Sequence, residues 1–227
     1  MKTEEIMIGG KNCRIFRQGE PRYLLLQPSD DHEMQEMQEE AEIIAETYGD
    51  FLFCIFRISD WNRELSPWDA PPVFGKEGFG HGAADTLNFV TEELIPGLKE
   101  RYGLPSEVRV ILGGYSLAAF FALWSAYQTD RFSAVSAASP SVWFPGWIDY
   151  AEHHPVKTEH VYLSLGNKEE KTRNQVMAQV GNCIRKQHEL LSGIDCTLEW
   201  NEGNHFRDAG GRCARGFAWC LQALKGN

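Results

Sequence analysis

The chain has 227 residues, which suits a single domain, and its 43% hydrophobic and 24% charged residues are typical of a globular protein. Its formal net charge of −10 argues against partners with a phosphate backbone and against docking on an anionic membrane. No apolar run approaches the roughly 18 residues of a membrane span, and the polar, acidic N-terminus predicts no secretory signal. Six cysteines are spread thinly over the 227 residues, which predicts reduced thiols in a cytoplasmic protein rather than a disulfide scaffold or a zinc site.

The first part of the chain predicts an antiparallel hairpin followed by a strand, a helix and a strand. Residues 6–8 and 13–16 flank a Gly-Gly turn, which is typical of a hairpin because glycine readily adopts positive φ. Short apolar runs at 23–26 and 51–56 predict two buried strands. Between them, apolar residues recur at steps of three and four and predict a helix with one buried face: Met34, Met37, Ala41, Ile44 and Tyr48.

The rest of the chain continues this alternation after one long loop. Residues 59–80 are rich in proline, glycine and tryptophan, and an ordered loop of this length is usually functional. Strands are expected at 108–112, 134–138, 161–165 and 196–200, and helices at 87–102, 117–124, 172–191 and 208–224. Strands that alternate with helices after an opening hairpin predict one α/β domain over residues 1–227, with a mostly parallel sheet, helices on both faces and no separate lid domain.

A serine stands at one predicted strand-to-helix turn. Residues 114–118 read Gly-Tyr-Ser-Leu-Ala, which fits the G-x-S-x-small pattern of a nucleophile elbow. An apolar strand precedes this motif and an apolar helix follows it without a gap, as the motif requires. Such a turn strains the serine backbone and exposes the hydroxyl, so Ser116 is the candidate nucleophile. The alternative is a glycine-rich turn whose serine merely caps the helix.

A serine hydroxyl needs a base, and His205 is the best placed of the seven histidines. It follows the last predicted strand, and sites in such sheets form where the carboxyl ends of the strands meet. His81, in the long loop, is the rival base. The others fit less well because they fall in helices or in a polar stretch: His32, His153, His154, His160 and His188.

The imidazole in turn needs an acid that orients it and stabilises its cation. Glu169 lies three residues beyond Gly166, which ends the strand before the histidine-bearing unit, and Glu170 is the alternative. Either glutamate could instead simply begin a helix, where a carboxylate is favoured. The order Ser116, Glu169, His205 is that of α/β-hydrolases rather than that of either major class of serine protease.

Two backbone N–H groups are expected to stabilise the oxyanion of an acyl-transfer reaction. Leu117, the residue after the nucleophile, supplies one of them. The other is expected from the loop after the first central strand, where Pro28 has no N–H to offer. Ser29 is therefore expected as the second donor, with Asp30 and Gln27 as alternatives.

These motifs resemble those of the esterase D-like group of α/β-hydrolases. The resemblance rests on residues 114–118, 139–143, 166–169 and 203–205, and it extends over nearly the whole chain. The group includes S-formylglutathione hydrolases, feruloyl esterases, mycolyltransferases and siderophore esterases. It implies an α/β-hydrolase fold and the hydrolysis or transfer of acyl groups through an acyl-serine, with substrates that differ between members. This chain departs from the usual pattern by an alanine at position 118 and by a glutamate where many relatives have an aspartate.

Aromatic side chains are expected to bind the substrate. Trp61 and Trp68 lie in the long loop, Trp143 follows a predicted strand, and Tyr115 adjoins the candidate nucleophile. Aromatic walls of this kind suit an apolar or aromatic acyl or alcohol group. About half of the candidate rings are expected to pack the loops onto the sheet instead, since large aromatic side chains are mostly buried.

We therefore expect a serine carboxylesterase that hydrolyses small carboxylic esters or thioesters through an acyl-serine, with a small-molecule ester as its partner. The same acyl-enzyme could pass its acyl group to an alcohol or thiol, as in an acyltransferase, or the fold could serve a non-catalytic binding protein. The intact set of serine, histidine and acid favours catalysis. This mechanism needs no metal and no organic cofactor, and the sequence does not indicate the oligomeric state.

Overall fold

A computed structural model of the protein describes residues 1–30 and 37–226. Its centre is one sheet of eight strands: β1 (Lys2–Ile8), β2 (Lys11–Gln18), β3 (Tyr23–Ser29), β4 (Phe51–Arg57), β5 (Arg109–Tyr115), β6 (Ala134–Ala138), β7 (His160–Gly166) and β8 (Asp195–Asn201). Their order across the sheet is β1-β2-β4-β3-β5-β6-β7-β8. β2 pairs antiparallel with both β1 and β4, and all pairs from β4 to β8 are parallel.

The helices connect these strands and lie on both sides of the sheet. They are α1 (Gln38–Thr47), α2 (Trp61–Glu64), α3 (Ala83–Phe89), α4 (Ile95–Tyr102), α5 (Ser116–Gln128), α6 (Trp147–His153), α7 (Val180–Leu190) and α8 (Ala209–Ala223). A π-helical segment, Val90–Leu94, joins α3 to α4, and short 3-10 turns occur at Glu169–Lys171, Met177–Gln179 and Leu224–Gly226. Within residues 1–30 and 37–226, every helix falls short of the length and apolar character that crossing a bilayer demands.

Both faces of the central strands are buried, which explains their continuous apolar runs. Along β3, Leu24 and Leu26 point into one hydrophobic cluster, and Leu25 points into the other. The first cluster includes α5, whose residues Leu117–Tyr127 are all buried. The second lies under α1 and α8, where Phe217 packs edge-on against Phe53 of β4. The expected α/β fold, with a mostly parallel sheet, an N-terminal antiparallel hairpin and helices on both faces, is therefore confirmed.

One predicted helix begins earlier than expected and is irregular in its middle. The sequence predicts a helix at 87–102, whereas the helical segment begins at Ala83 and changes to π-helical geometry at Val90–Leu94. There the N–H of Ile95 donates to the carbonyl of Val90. Pro96 follows directly and has no N–H, so a regular α-helical hydrogen bond cannot form at that point.

One other helix boundary differs from the sequence prediction. The helix expected over 172–191 is regular only from Val180. The Asn174 side chain accepts the N–H groups of Val176 and Met177 at 3.1 and 3.2 Å, which is the hydrogen bonding of a helix N-cap, and the segment that follows first forms the 3-10 turn Met177–Gln179. Among the described residues, α1 begins at Gln38. Met34, which the sequence analysis assigned to that helix, and His32 lie outside the described residues.

Candidate active site

The turn between β5 and α5 has the geometry of a nucleophile elbow. Ser116 begins α5 directly after β5 and has a φ of 57°, a left-handed conformation that residues other than glycine rarely adopt. Strand and helix approach so closely here that a Cβ on Gly114 would lie 2.7 Å from the carbonyl carbon of Ala118. The glycine is therefore required by the close approach, and a small residue at position 118 fits it.

The three predicted triad residues meet at the carboxyl edge of the sheet. His205 Nε2 lies 3.0 Å from Ser116 Oγ, and His205 Nδ1 lies 2.7 Å from Glu169 Oε2. Because a carboxylate only accepts, it holds the imidazole proton on Nδ1 and leaves Nε2 free to accept from the serine hydroxyl. Ser116, His205 and Glu169 thus form a continuous hydrogen-bonded chain.

Glu169, not Glu170, contacts the imidazole. The side chain of Glu169 is almost fully buried, while Glu170 forms a surface ion pair with Arg185 at 3.2 Å. Burial alone would raise the pKa of Glu169, but the hydrogen bond and charge of His205 and the N–H of Gly166 outweigh it. The pKa of this carboxyl therefore lies below its ordinary value, which keeps it ionised at neutral pH.

Four of the other described histidines have partners elsewhere, and the fifth, His188, lies in the last turn of α7. His81, the rival base, is exposed and pairs with Asp69 at 3.0 Å. His160 pairs with Asp195 near the start of β7, and His153 and His154 contact carbonyls of their own helix. His205 is therefore the imidazole that the fold brings to Ser116.

The structure separates the three candidates for the second oxyanion donor. Ser29 lies in register with Arg57 of β4, and its carbonyl accepts the N–H of Ile58 at 2.8 Å. In an extended strand the N–H and C=O of one residue point to the same neighbouring strand, so the Ser29 N–H points toward β4. β4 lies on the opposite side of β3 from β5 and the elbow. This orientation argues against Ser29, the expected donor, and also against Gln27, two residues earlier on the same side.

A cavity of about 780 Å³ opens beside the triad. Trp61 and Trp143 line it, as the sequence analysis expected, together with Leu117, the other predicted oxyanion donor. The remaining lining residues are Asn62, Phe74, Phe79, Ser116, Ser139, Ser141, Lys168, Glu169, Lys171, Thr172, Met177, Val180, Asn204, His205 and Phe206. The cavity can hold a small ester against Ser116 between aromatic walls.

Two predicted substrate-binding residues have structural contacts instead. The indole N–H of Trp68 donates to the carbonyl of Pro145 at 2.8 Å, and its ring packs on Phe144 and Tyr150. Trp68 thereby packs the long loop against the segment after β6.

Tyr115 is half-buried and contacts the loop that carries His205, although it adjoins Ser116 in the sequence. Its hydroxyl donates to the carbonyl of His205 at 2.6 Å, and burial raises its pKa to about 12. Tyr115 is absent from the described residues that line the cavity.

Two further residues, Ser139 and Arg212, contact the candidate acid. Ser139 Oγ donates to Glu169 Oε1 at 2.8 Å, and Arg212 Nη1 donates to the same oxygen at 2.9 Å. Ser139 directly follows β6, so its place at the carboxyl edge of the sheet is a usable sequence signal. Arg212 lies next to Cys213 on a buried helix face, where an arginine requires a partner. The described residues include no cluster of three or more histidine, cysteine or carboxylate side chains that could hold a metal ion.

The chain resembles solved structures over nearly its whole length. An IroE-like serine hydrolase from Shewanella oneidensis gives a TM-score of 0.78 at 16% identity, with 96% of this chain and 79% of that chain covered. The siderophore hydrolase EstA from Aspergillus nidulans gives 0.74 at 20% identity, with 98% and 94% covered. The enterobactin esterase FES from Shigella flexneri gives 0.77 at 18% identity, with 99% and 60% covered. At such low identity these likenesses show the shared α/β-hydrolase fold.

The family comparison covers the segment that contains the elbow, Glu169 and His205. Residues 38–210 match the model of the Esterase family, which carries the description "Putative esterase". A comparison with curated protein sequences finds no match. Because the family model spans more than half of the chain, the protein belongs to the Esterase family and is a hydrolase with the α/β-hydrolase fold.

Proposed function

We propose that the protein is a serine carboxylesterase that acts through an acyl-serine. The observation that carries this proposal is the hydrogen-bonded chain from Ser116 Oγ through His205 to Glu169, which begins at a strained serine and opens on a cavity. A serine, a base and an orienting acid in hydrogen-bond contact are the parts that nucleophilic acyl transfer requires.

In the first half of the proposed reaction, Ser116 Oγ attacks the ester carbonyl while His205 Nε2 takes the hydroxyl proton. The tetrahedral intermediate carries a negative oxygen, which the N–H of Leu117 at the start of α5 stabilises. We propose the N–H of Asp30 as the second donor, because successive N–H groups of an extended chain alternate in direction. The intermediate collapses to the acyl-serine, and His205 returns its proton to the departing alcohol.

In the second half, water attacks the acyl-serine with His205 again as the base. The intermediate then releases the carboxylic acid and restores the serine hydroxyl. Glu169 remains ionised throughout, stabilises the imidazolium in both halves and keeps the imidazole proton on Nδ1.

The cavity supports an ester with an aromatic or apolar group. Trp143 and Phe79 form part of its wall, while Phe206, with 89% of its surface exposed, lines it beside His205. An aromatic ring of a substrate could cover such exposed apolar surface. The neighbours named as a siderophore hydrolase and an enterobactin esterase are consistent with ester hydrolysis in a site of this architecture.

The charges in the cavity favour a substrate that also carries an anionic group. Lys168 and Lys171 line the cavity, and neither forms an ion pair with a residue in the described part of the chain. Among the described lining residues, Glu169 is the only carboxylate, and its charge is balanced by Arg212. The cavity is thus cationic in a protein whose formal net charge is −10.

Trapping the acyl-enzyme tests the mechanism. The protein is mixed with p-nitrophenyl esters of increasing chain length, and each reaction is quenched in acid. The mass of the protein is then measured by mass spectrometry. We expect a mass increase equal to the acyl group, mapped to Ser116 and lost in Ser116→Ala. Hydrolysis of the esters at the wild-type rate by a folded Ser116→Ala protein would contradict the acyl-serine pathway. Product analysis with an added alcohol separates hydrolysis from transfer, since a transferase would form a new ester.

A further inference from the structure

One oxygen of Glu169 is fully occupied by donors other than the histidine. Glu169 Oε1 accepts from the N–H of Gly166 at 2.7 Å, from Ser139 Oγ at 2.8 Å and from Arg212 Nη1 at 2.9 Å. The other oxygen, Oε2, accepts from His205 Nδ1. The three donors fix the rotation of the carboxylate, so Oε2 points at the imidazole.

The same arginine also holds the two backbone segments on either side of the site. Arg212 Nη2 donates to the carbonyls of Asn204 and Glu202, at 3.1 and 3.2 Å, in the loop that carries His205. Its Nη1 donates to the hydroxyl of Tyr115 at the end of β5, at 3.1 Å. Tyr115 in turn donates to the carbonyl of His205. One guanidinium therefore joins the segments that carry the nucleophile, the acid and the base.

Stability alone is a poor explanation for this arginine. Its side chain is completely buried, and burying a charge costs free energy that an ion pair recovers only with good geometry. Its Nε finds no hydrogen-bond partner among residues 1–30 and 37–226, which adds to the cost. An apolar side chain of similar size would fill the same space without that cost.

We propose that Arg212 is a positioning residue of the esterase reaction, an inference that rests on the proposed function. Its planar guanidinium, whose N–H donors form a fixed fork, holds Glu169 and the His205 loop in one arrangement. Its charge balances the buried carboxylate beside the imidazole. It acts through Glu169 and His205 and does not itself touch the reacting atoms. A lysine could supply the charge but not the fork, because it is a single point donor.

Removal of the positive charge has a predictable effect on protonation. Without Arg212, the net charge of the site around Glu169 and His205 is more negative by one. The pair therefore binds a proton more tightly, whichever of the two residues carries it. The charged groups around the pair are exposed: Lys168, Lys171 and the Glu202–Arg207 ion pair. The other titratable neighbours are the buried Cys213 thiol and the half-buried phenol of Tyr115, whose pKa burial raises to about 12. The acid limb of kcat/KM reports this protonation in the free enzyme.

Two substitutions separate charge from geometry. In Arg212→Met we expect the acid limb of kcat/KM to move to higher pH by roughly one unit. In Arg212→Lys we expect the limb to stay within a few tenths of a unit of the wild-type position. We also expect kcat of the lysine variant to fall roughly tenfold to a hundredfold with little change in KM, because misplaced catalytic groups lower the rate of the chemical step.

Each rate is divided by the fraction of protein that a fluorophosphonate labels, so that unfolded protein does not enter the comparison. An acid limb that stays in place in Arg212→Met would overturn the inference, since a purely structural arginine would not move it. If the methionine variant does not fold, the lysine variant decides: a wild-type kcat per labelled site would overturn the inference. A wild-type protein that neither labels nor hydrolyses esters would instead refute the proposed function, and the inference with it.

Discussion

Replacement of Glu169 by glutamine should reverse the hydrogen bonding of the imidazole. Oε1 accepts from three donors, so the glutamine must place its carbonyl oxygen there and its NH2 group where Oε2 now faces His205. The imidazole can then only accept at Nδ1, which puts its proton on Nε2, facing Ser116. A histidine in that tautomer cannot take the serine proton. An equivalent acid-to-amide change lowers kcat by about 10⁴ in serine proteases, and we expect a loss of about 10³–10⁴ here.

The assay for this prediction is the initial rate of p-nitrophenyl ester hydrolysis, with circular dichroism to verify folding. Glu170→Gln is the matched control, because it makes the same change one residue away, in a surface pair with Arg185. Exposed ion pairs contribute about 1 kcal/mol or less, so the control should keep close to wild-type activity. A folded Glu169→Gln protein with more than about a tenth of wild-type kcat would refute the reasoning about the tautomer.

Three further predictions concern packing, substrate charge and pH. Gly114→Ala places a Cβ against the Ala118 backbone and should lower the free energy of unfolding by about 1–3 kcal/mol, as measured in urea; an unchanged midpoint would contradict the close approach. Lys168→Ala combined with Lys171→Ala should lower kcat/KM about three- to tenfold for a p-nitrophenyl ester with a free carboxylate, but not for a neutral ester of equal length. The pKa of Glu169 is lowered in the folded protein, so its ionisation stabilises the fold above the ordinary glutamate pKa, and this stabilisation is lost as the pH falls through the folded value. Urea unfolding at pH 7 and pH 3 should therefore show a smaller loss of unfolding free energy in Glu169→Gln than in the wild type.

The parts of the site that follow a strand directly could be predicted from the sequence. Ser116, Glu169 and His205 each lie just after a parallel strand or one short turn beyond it, and the carboxyl ends of such strands meet at one edge of the sheet. The alternation of apolar strands and amphipathic helices predicted the fold for the same reason, since periodicity reports which faces are buried.

The contacts that depend on the direction of a side chain or of a backbone N–H could not be predicted in this way. The strand orientation argues against the donor expected at Ser29, because the direction of a backbone N–H depends on strand register, which the sequence pattern does not reveal. Trp68 was expected in the cavity because it lies in the long loop, and Tyr115 because it adjoins the candidate nucleophile. Their hydrogen bonds to Pro145 and His205 depend on long-range packing.

The sequence signal for Arg212 was weak because a charged residue on a helix is usually exposed. Its partners come from β5, from the segments after β6 and β7, and from the loop after β8, which are far apart in the chain. Such a contact becomes visible only when all four segments are assembled.

Covalent labelling of Ser116 tests the central claim most directly. The wild-type protein, Ser116→Ala and Ser141→Ala are treated with a fluorophosphonate, digested and mapped by mass spectrometry. Ser141 is a suitable control because its hydroxyl also lines the cavity, 3.5 Å from Ser116 Oγ. We predict one label on Ser116 in the wild type and in Ser141→Ala, and none in Ser116→Ala. A folded wild-type protein that stays unlabelled, or a label that persists on another serine in Ser116→Ala, would contradict the assignment of Ser116 as the nucleophile.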